Sequence, residues 1–83
     1  MEPLAIRLHN NDNVVTAKSD IDPDILLNDE NITTKQFIPV GHKIATKDIS
    51  KGEDIIKYDN IIGTATDNIV IGEEIIFVTG LII

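Results

Sequence analysis

The stretch "GHKIATKDISKGEDIIKY", residues 41 to 58, carries the side chains of this sequence best suited to acid-base and anion chemistry. His42 and Lys43 follow one glycine, and Lys57 and Tyr58 come shortly after the next. An imidazole with an unperturbed pKa of about 6.5 exchanges a proton at neutral pH, which makes His42 the candidate acid or base. Lys57 is the candidate clamp for a carboxylate, whether of a substrate or of a partner subunit. Lys43, Tyr58 and the more distant His9 are the candidate substrate-binding residues.

Each has a plain structural alternative. His42 could pack or cap a turn, and Lys57 could lay its stem over apolar neighbours with its ammonium in water. Tyr58 is the sole tyrosine among three aromatic residues, so packing or an interface contact suits it. His9 precedes Asn10-Asn11-Asp12-Asn13, which reads first as a turn. Adjacent strand residues point to opposite faces, so a fully extended strand aims only one of His42 and Lys43 at a given ligand. Both reach outward if Gly41 is the corner and His42 still lies in the turn. On the same alternation Lys57 shares a face with Ile55, and Tyr58 with Ile56.

The charge pattern singles out the same region. The chain carries a net charge of −7, yet residues 35 to 57 hold five lysines against Asp48, Glu53 and Asp54, a local +2. Such a stretch welcomes an anionic ligand or an acidic partner surface; a lysine-decorated sheet edge that resists aggregation is the alternative. The overall negative charge repels phosphate backbones and anionic lipids, so neither nucleic acid nor a membrane is an expected partner. No apolar run approaches the roughly 18 residues that span a bilayer. Without cysteine there is neither a disulfide framework nor a Cys-based zinc site, and the expected compartment is the cytoplasm.

The elements that must position these side chains are strands. Ile, Val and Thr number 17, 5 and 7 of 83 residues, a β-branched content that favours pleated backbone. Strands are expected over Ala5 to Leu8, Val14 to Lys18, Ile25 to Leu27, His42 to Thr46, Asp54 to Lys57, Ile61 to Ala65 and Glu74 to Val78, with a helical turn near Asn28 to Asn31. A repeat of the form x-Ile-x-x-Gly-x-x-Ile occurs at residues 37 to 44, 48 to 55 and 68 to 75. A fourth copy at 20 to 27 has Asp24 in the glycine's place. Each copy reads as a chain reversal with one corner at positive φ, pinned by a buried Ile. Units this short are corners of one small folded-over sheet rather than solenoid repeats. A single domain over residues 1 to 83 follows. A chain of this size buries only about 60 to 65 % of its unfolded surface, so it must be compact or lean on a partner.

The words His9 with Asp12-Asn13-Val14, Gly41-His42-Lys43, Asp48-Ile49-x-x-Gly52, Ile56-Lys57-Tyr58 and Ile62-Gly63-x-Ala65, in that order, resemble a known family. It is the N-terminal domain of the altronate and galactarate dehydratases, with the small subunit of the related sulfolactate sulfo-lyase. The resemblance covers nearly the whole chain and implies a mostly β, single-domain β-clip of the SAF or antifreeze-like type, with at most one or two helical turns. It also implies β-elimination on a small hydroxy-carboxylate, with most of the catalytic machinery on a large dehydratase-like subunit. A divalent metal of the iron or manganese type would sit on that subunit and none on this chain alone.

The expected function is therefore the small subunit of a sugar-acid hydro-lyase, with His42 and Lys57 in catalytic support. The alternatives are loss of sulfite from sulfolactate, or a non-catalytic assembly or binding module. Two departures stand out. The relatives close the domain on a His-x-His-x-His-Asn segment where this chain reads Glu74-Ile75-Ile76-Phe77-Val78-Thr79, and their glycine after Lys-Tyr is Asp59 here. The apolar end, Phe77 to Ile83, is expected to be a last strand or a subunit interface, including one between copies of this chain.

Overall fold

The computed structural model of the chain describes residues 3–80. Their regular structure is eight short strands without a helix: β1 (Ala5–Ile6), β2 (Val14–Ala17), β3 (Leu26–Leu27), β4 (Ile32–Thr33), β5 (Lys43–Ala45), β6 (Asp54–Lys57), β7 (Asn60–Ala65) and β8 (Val78–Thr79). β1, β2 and β5 form one antiparallel sheet in the order β1-β2-β5, β3 and β4 form a hairpin, and β6, β7 and β8 form a second antiparallel sheet.

The β2–β5 pair is a partition buried on both faces. Its register sets Val15 opposite Ile44 and Val14 opposite Ala45, and residues opposite one another point to the same face. On one side Val15, Ala17 and Ile44 pack with Ile21, Leu27 and Ile38. On the other, Val14 and Ala45 pack with Ile49, Ile55, Ile62, Ala65, Ile69 and Ile75. Thr16 and Lys43 are opposite one another at the rim of that second face.

The repeat explains how so little regular strand holds together. In the three glycine copies, the N–H of His42, Glu53 and Glu73 donates to the carbonyl three residues earlier, of Pro39, Ser50 and Val70. The glycine is the third residue of each turn, with φ of 83°, 91° and 90°, as a type II turn requires. Each turn then docks on an alanine at a strand end. Gly41 N–H donates to Ala17 O and Ala17 N–H to His42 O; Gly52 and Glu53 do the same with Ala65, and Gly72 and Glu73 with Ala45, all at 2.8–2.9 Å. All three alanines are buried, and a larger side chain there would have to displace core neighbours.

The fourth copy obeys the same rule. Asp24 takes the positive φ (65°), and Thr34 replaces the alanine, exchanging hydrogen bonds with Asp24 N–H and Ile25 O. The Thr34 hydroxyl enters the turn itself, accepting from Ile25 N–H and donating to Asp22 O. The copies associate in pairs through bridges between buried isoleucines, Ile21 with Ile38 and Ile49 with Ile69. Side chains in their first positions cap the partner turn: Asp20 accepts from Val40 N–H, Asp48 from Ile71 N–H and Asn68 from Lys51 N–H.

One expected strand fails locally. The strand foreseen over Glu74 to Val78 is instead a bridge of Glu74 to Ile44 followed by a bend. Val78 N–H donates to Ile76 O, a three-residue turn that breaks the extended run and leaves β8 at Val78–Thr79. The helical turn expected near Asn28 to Asn31 is present as a single turn, in which Glu30 N–H and Asn31 N–H both donate to Leu27 O. Asn31 leaves it at φ 56°, turning the chain into β4, which the sequence reading did not anticipate. Leu81 to Ile83, part of the expected apolar interface, lie outside the described residues.

The glycines differ in what surrounds them. A Cβ on Gly52 would meet open space, whereas one on Gly72 would run into the Thr33 carbonyl oxygen, a backbone atom that cannot rotate away. Gly52→Ala should therefore cost about 1–2 kcal/mol from its left-handed φ alone. Gly72→Ala should cost a further ~1–3 kcal/mol of overpacking. Urea denaturation of the two variants measures the difference; equal losses would contradict the close approach.

Candidate functional site

The sixth residue of each copy has its backbone tied to a strand end, so only its side chain is free to vary. In two copies that side chain is occupied: Glu53 accepts from Ser50 N–H and Glu73 from Val70 N–H, three residues back. The Ser50 N–H holds the Glu53 carboxyl below its ordinary pKa, as expected for a carboxylate that caps a turn. In the 37–44 copy the third residue is Pro39, which has no N–H to cap. His42 is thereby released from the turn, and its ring makes a contact elsewhere.

Its ring reaches across to the 68–75 copy, with Nδ1 2.6 Å from Glu74 Oε2. Glu74 is placed there by its bridge to Ile44 and by its own N–H, which donates to Gln36 Oε1. An ionised carboxylate only accepts, so Nδ1 carries the hydrogen in this pair and Nε2 of the neutral ring is the free acceptor. The dyad sits at the mouth of an open cleft of about 210 Å³ lined by Gly41, His42, Lys43 and Ile75. His42 and Lys43 reach the same space because His42 closes the turn rather than lying in a strand.

Lys43 is half-buried, and its pKa is lowered, first by burial and then by the nearby Lys57 ammonium. Lys57 shares the inward face of β6 with Ile55 and is only 7 % exposed. It is therefore not the surface lysine of the structural alternative. Its ammonium lies 4.9 Å from the centre of the Tyr58 ring, a cation–π contact. That contact forms despite the alternation because Tyr58 and Asp59 both have positive φ (58° and 59°), making a two-residue turn between β6 and β7 that folds the ring back. Asp59 does what the relatives' glycine would do at that corner.

Asp12 and Asn13 hold this arrangement. The buried Asp12 carboxylate accepts from Tyr58 N–H and Asp59 N–H, at 3.1 and 2.9 Å. Asn13 donates to Asp54 O and accepts from Ile56 N–H where β7 bulges against β6. Arg7, paired with Glu30 at 2.7 Å, also donates to the carbonyls of His9, Asn10 and Asp12, fixing the loop that carries Asp12. His9 stands apart from the cleft lining. Its Nδ1 accepts from Asn11 N–H and lies 3.7 Å from Asp59. Thus His42 and Lys43 meet in one cleft with Lys57 close behind, Tyr58 covers the Lys57 ammonium, and His9 belongs to the turn.

Sequence reasoning did not pair His42 with Glu74. The signal was available in Pro39, which frees the histidine, and in Glu74 occupying the position of Lys43 in another copy. Among the described residues no three His, Asp or Glu side chains come together as metal ligands, and both Asp12 oxygens already serve backbone N–H groups. The donor set here does not fit a divalent metal, and no step below is routed through one.

The lowered pKa of Lys43 has a sign. Between its folded and unfolded pKa values the folded chain binds fewer protons, so stability rises with pH through that window and the charged lysine is a cost at neutral pH. Lys43→Met should raise the urea midpoint at pH 7. That advantage should shrink as pH climbs toward about 10.4, the unfolded value. A variant less stable than the parent at pH 7 would contradict the burial of this charge.

The family described as the altronate/galactarate dehydratase SAF domain matches residues 3–77. The chain is 35% identical over 72 residues to altronate dehydratase of Escherichia coli (strain K12), covering 84% of this chain and 14% of that protein. It is 40% identical to altronate dehydratase of Bacillus subtilis (strain 168), with the same shares covered. To (2R)-sulfolactate sulfo-lyase subunit alpha of Paracoccus pantotrophus it is 36% identical over 47 residues, which are 57% of this chain and 70% of that one. The chain thus spans a small fraction of the dehydratases and most of the subunit. With a match over nearly its whole length, the chain belongs to the altronate/galactarate dehydratase SAF domain family.

Proposed function

We propose that this domain serves a lyase that eliminates water from a small hydroxy-carboxylate of the sugar-acid class, as a small subunit docked on a larger catalytic one. The observation that carries this reading is the His42–Glu74 dyad at the mouth of a cleft whose wall is cationic in an acidic chain. Altronate dehydratases are the relatives covering most of this chain, which supports a dehydration. A relative named as a subunit, of which this chain covers 70%, supports a separate small partner.

In such an elimination a base on the large subunit removes the proton α to the carboxylate. The C–H electron pair forms the C=C bond as the β C–O bond breaks, and the departing oxygen takes a proton and leaves as water. The enol product then tautomerises to a 2-keto-3-deoxy acid. His42 is the proton donor to the departing hydroxyl, through Nε2 of its protonated ring, which Glu74 orients at Nδ1. Lys43 and Lys57 draw the carboxylate end toward this side.

Loss of sulfite from sulfolactate would use the same α-proton removal with a C–S bond breaking instead. A non-catalytic assembly role is favoured by one observation, the exposed Val40, Ile76 and Phe77 beside the cleft residues.

The test is turnover of the reconstituted two-subunit complex on a panel of sugar acids and sulfolactate. His42→Ala should lower kcat about 10²–10⁴-fold on the accepted substrate, with the complex still assembling. Glu74→Gln should lower it less, because the ring stays in place. A His42→Ala complex with unchanged kcat would leave the domain as an assembly module, and activity on sulfolactate alone would move the reading to the sulfo-lyase.

A further inference from the structure

We propose that Lys43, Lys57 and Thr16 form an oxyanion subsite that takes the carboxylate of a small hydroxy acid. This deepens the reading above, on which it rests for the class of ligand, but it concerns binding rather than turnover. The first support is placement. Thr16 and Lys43 are opposite one another on the face of the β2–β5 pair that looks toward β6, the face that also carries Val14 and Ala45. Ile55 of β6 packs into that same cluster, and Lys57 shares its face. The three side chains therefore share one side of the core, at whose edge Lys43 lines the cleft.

The second support is what these groups lack. Lys57 is more than nine-tenths buried, and among the described residues no carboxylate pairs with it or with Lys43; its named contact is the Tyr58 ring. The Thr16 hydroxyl is buried without a hydrogen-bond partner. Two ammonium groups and an orphaned hydroxyl on strands that face one another can all donate, and an acceptor with two oxygens would satisfy them together. The lowering of the Lys43 pKa by Lys57 fits two cations that face one space. One carboxylate bound between them would relieve that repulsion while each ammonium gains a charge-assisted hydrogen bond.

The size of the cleft limits what enters. A volume of about 210 Å³ lies below the ~300 Å³ at which pockets for whole drug-sized ligands begin. It suits a small acid rather than a drug-sized ligand. With the carboxylate at Lys43, the hydroxyl-bearing carbons, rather than the carboxylate, would be turned to the dyad.

Binding can be read on the 83-residue chain by itself. The ¹⁵N-labelled protein is titrated with tartrate, a small hydroxy-dicarboxylate, at fixed ionic strength and against a chloride control. Amide shifts at Thr16, Lys43 and Lys57 should saturate, with a midpoint near ~1 mM or tighter. Lys43→Gln and Lys57→Gln should each weaken binding about tenfold or more, and Thr16→Val by about two- to fivefold. Because Lys57 is buried, the unliganded spectrum of its variant is recorded first; Lys43→Gln, at a more open position, carries the test if that variant misfolds.

Shifts that fail to saturate, that chloride reproduces, or that persist unchanged in Lys43→Gln would overturn the subsite. In the two-subunit complex, tartrate that no longer shifts Lys43 would mean that an acidic side chain of the partner fills the position, which overturns the small-acid occupant. Loss of turnover in His42→Ala with tartrate binding intact leaves the subsite standing. Turnover intact with no tartrate binding removes the subsite and leaves the lyase reading untouched.

Discussion

Each of the four turns is fastened to the body of the domain by the same reciprocal pair of backbone hydrogen bonds. The residue at positive φ donates to a strand-end carbonyl, and the next residue accepts from the same strand-end N–H. Most of the remaining structure depends on this exchange. Four strands are only two residues long, too short to hold a sheet by ladder bonds alone. The exchange adds two bonds per turn, and it requires a small residue at the strand end: Ala17, Ala45 or Ala65, or Thr34, whose hydroxyl is absorbed into its own turn. It also requires a backbone that reaches positive φ at low cost, which explains three glycines and one aspartate in equivalent places.

Fixing the backbone so completely leaves variation to side chains, and this is how a repeated corner becomes a site. Where the third residue of the copy is Ser50 or Val70, a glutamate three positions on caps its N–H and is spent structurally. Where that residue is Pro39, the N–H is absent and the equivalent side chain is free to be His42. The pairing of copies then decides what His42 meets, since the bridge between Ile44 and Glu74 carries a carboxylate from one copy to the ring of another. The dyad is thus a product of the symmetry and of a single break in it.

The repeat was legible in the sequence because its spacing depends on a local need, a positive φ three residues after a buried isoleucine. The Asp24 copy was legible for the same reason. His42 and Lys43 were legible as residues that the repeat does not require. What the sequence hid was long-range or very short. β4 is two residues after a loop whose Asn-Asp-Glu-Asn composition reads as a helical turn, and local pattern does not register a strand of that length. The run from Glu74 to Val78 has the composition of a strand, but Ile76 and Val78 close a tight turn that alternation does not reveal. Thr16 looks like any strand threonine until the register puts it opposite Lys43 and leaves its hydroxyl unpaired. Asp12 and Asn13 read as loop residues, although they organise the Tyr58–Asp59 turn from more than forty positions away.

The charges around the cleft are not balanced within the domain. Outside residues 35 to 57 the chain carries −9, and yet Lys43 and Lys57 find none of that negative charge as a partner among the described residues. A fold indifferent to these lysines could discard their repulsion by replacing either with an apolar residue of similar length, which would suit the adjoining core. Instead Lys43 stands beside His42 on the wall of the cleft, with Lys57 buried nearby. The exposed Val40, Ile76 and Phe77 adjoin that space on the same segments that carry His42 and Glu74. Apolar side chains around a polar centre are what a docking surface needs to exclude water from the groups it encloses, and within such an enclosure the half-buried Lys43 ammonium and the His42–Glu74 pair would act far more strongly than they do beside water.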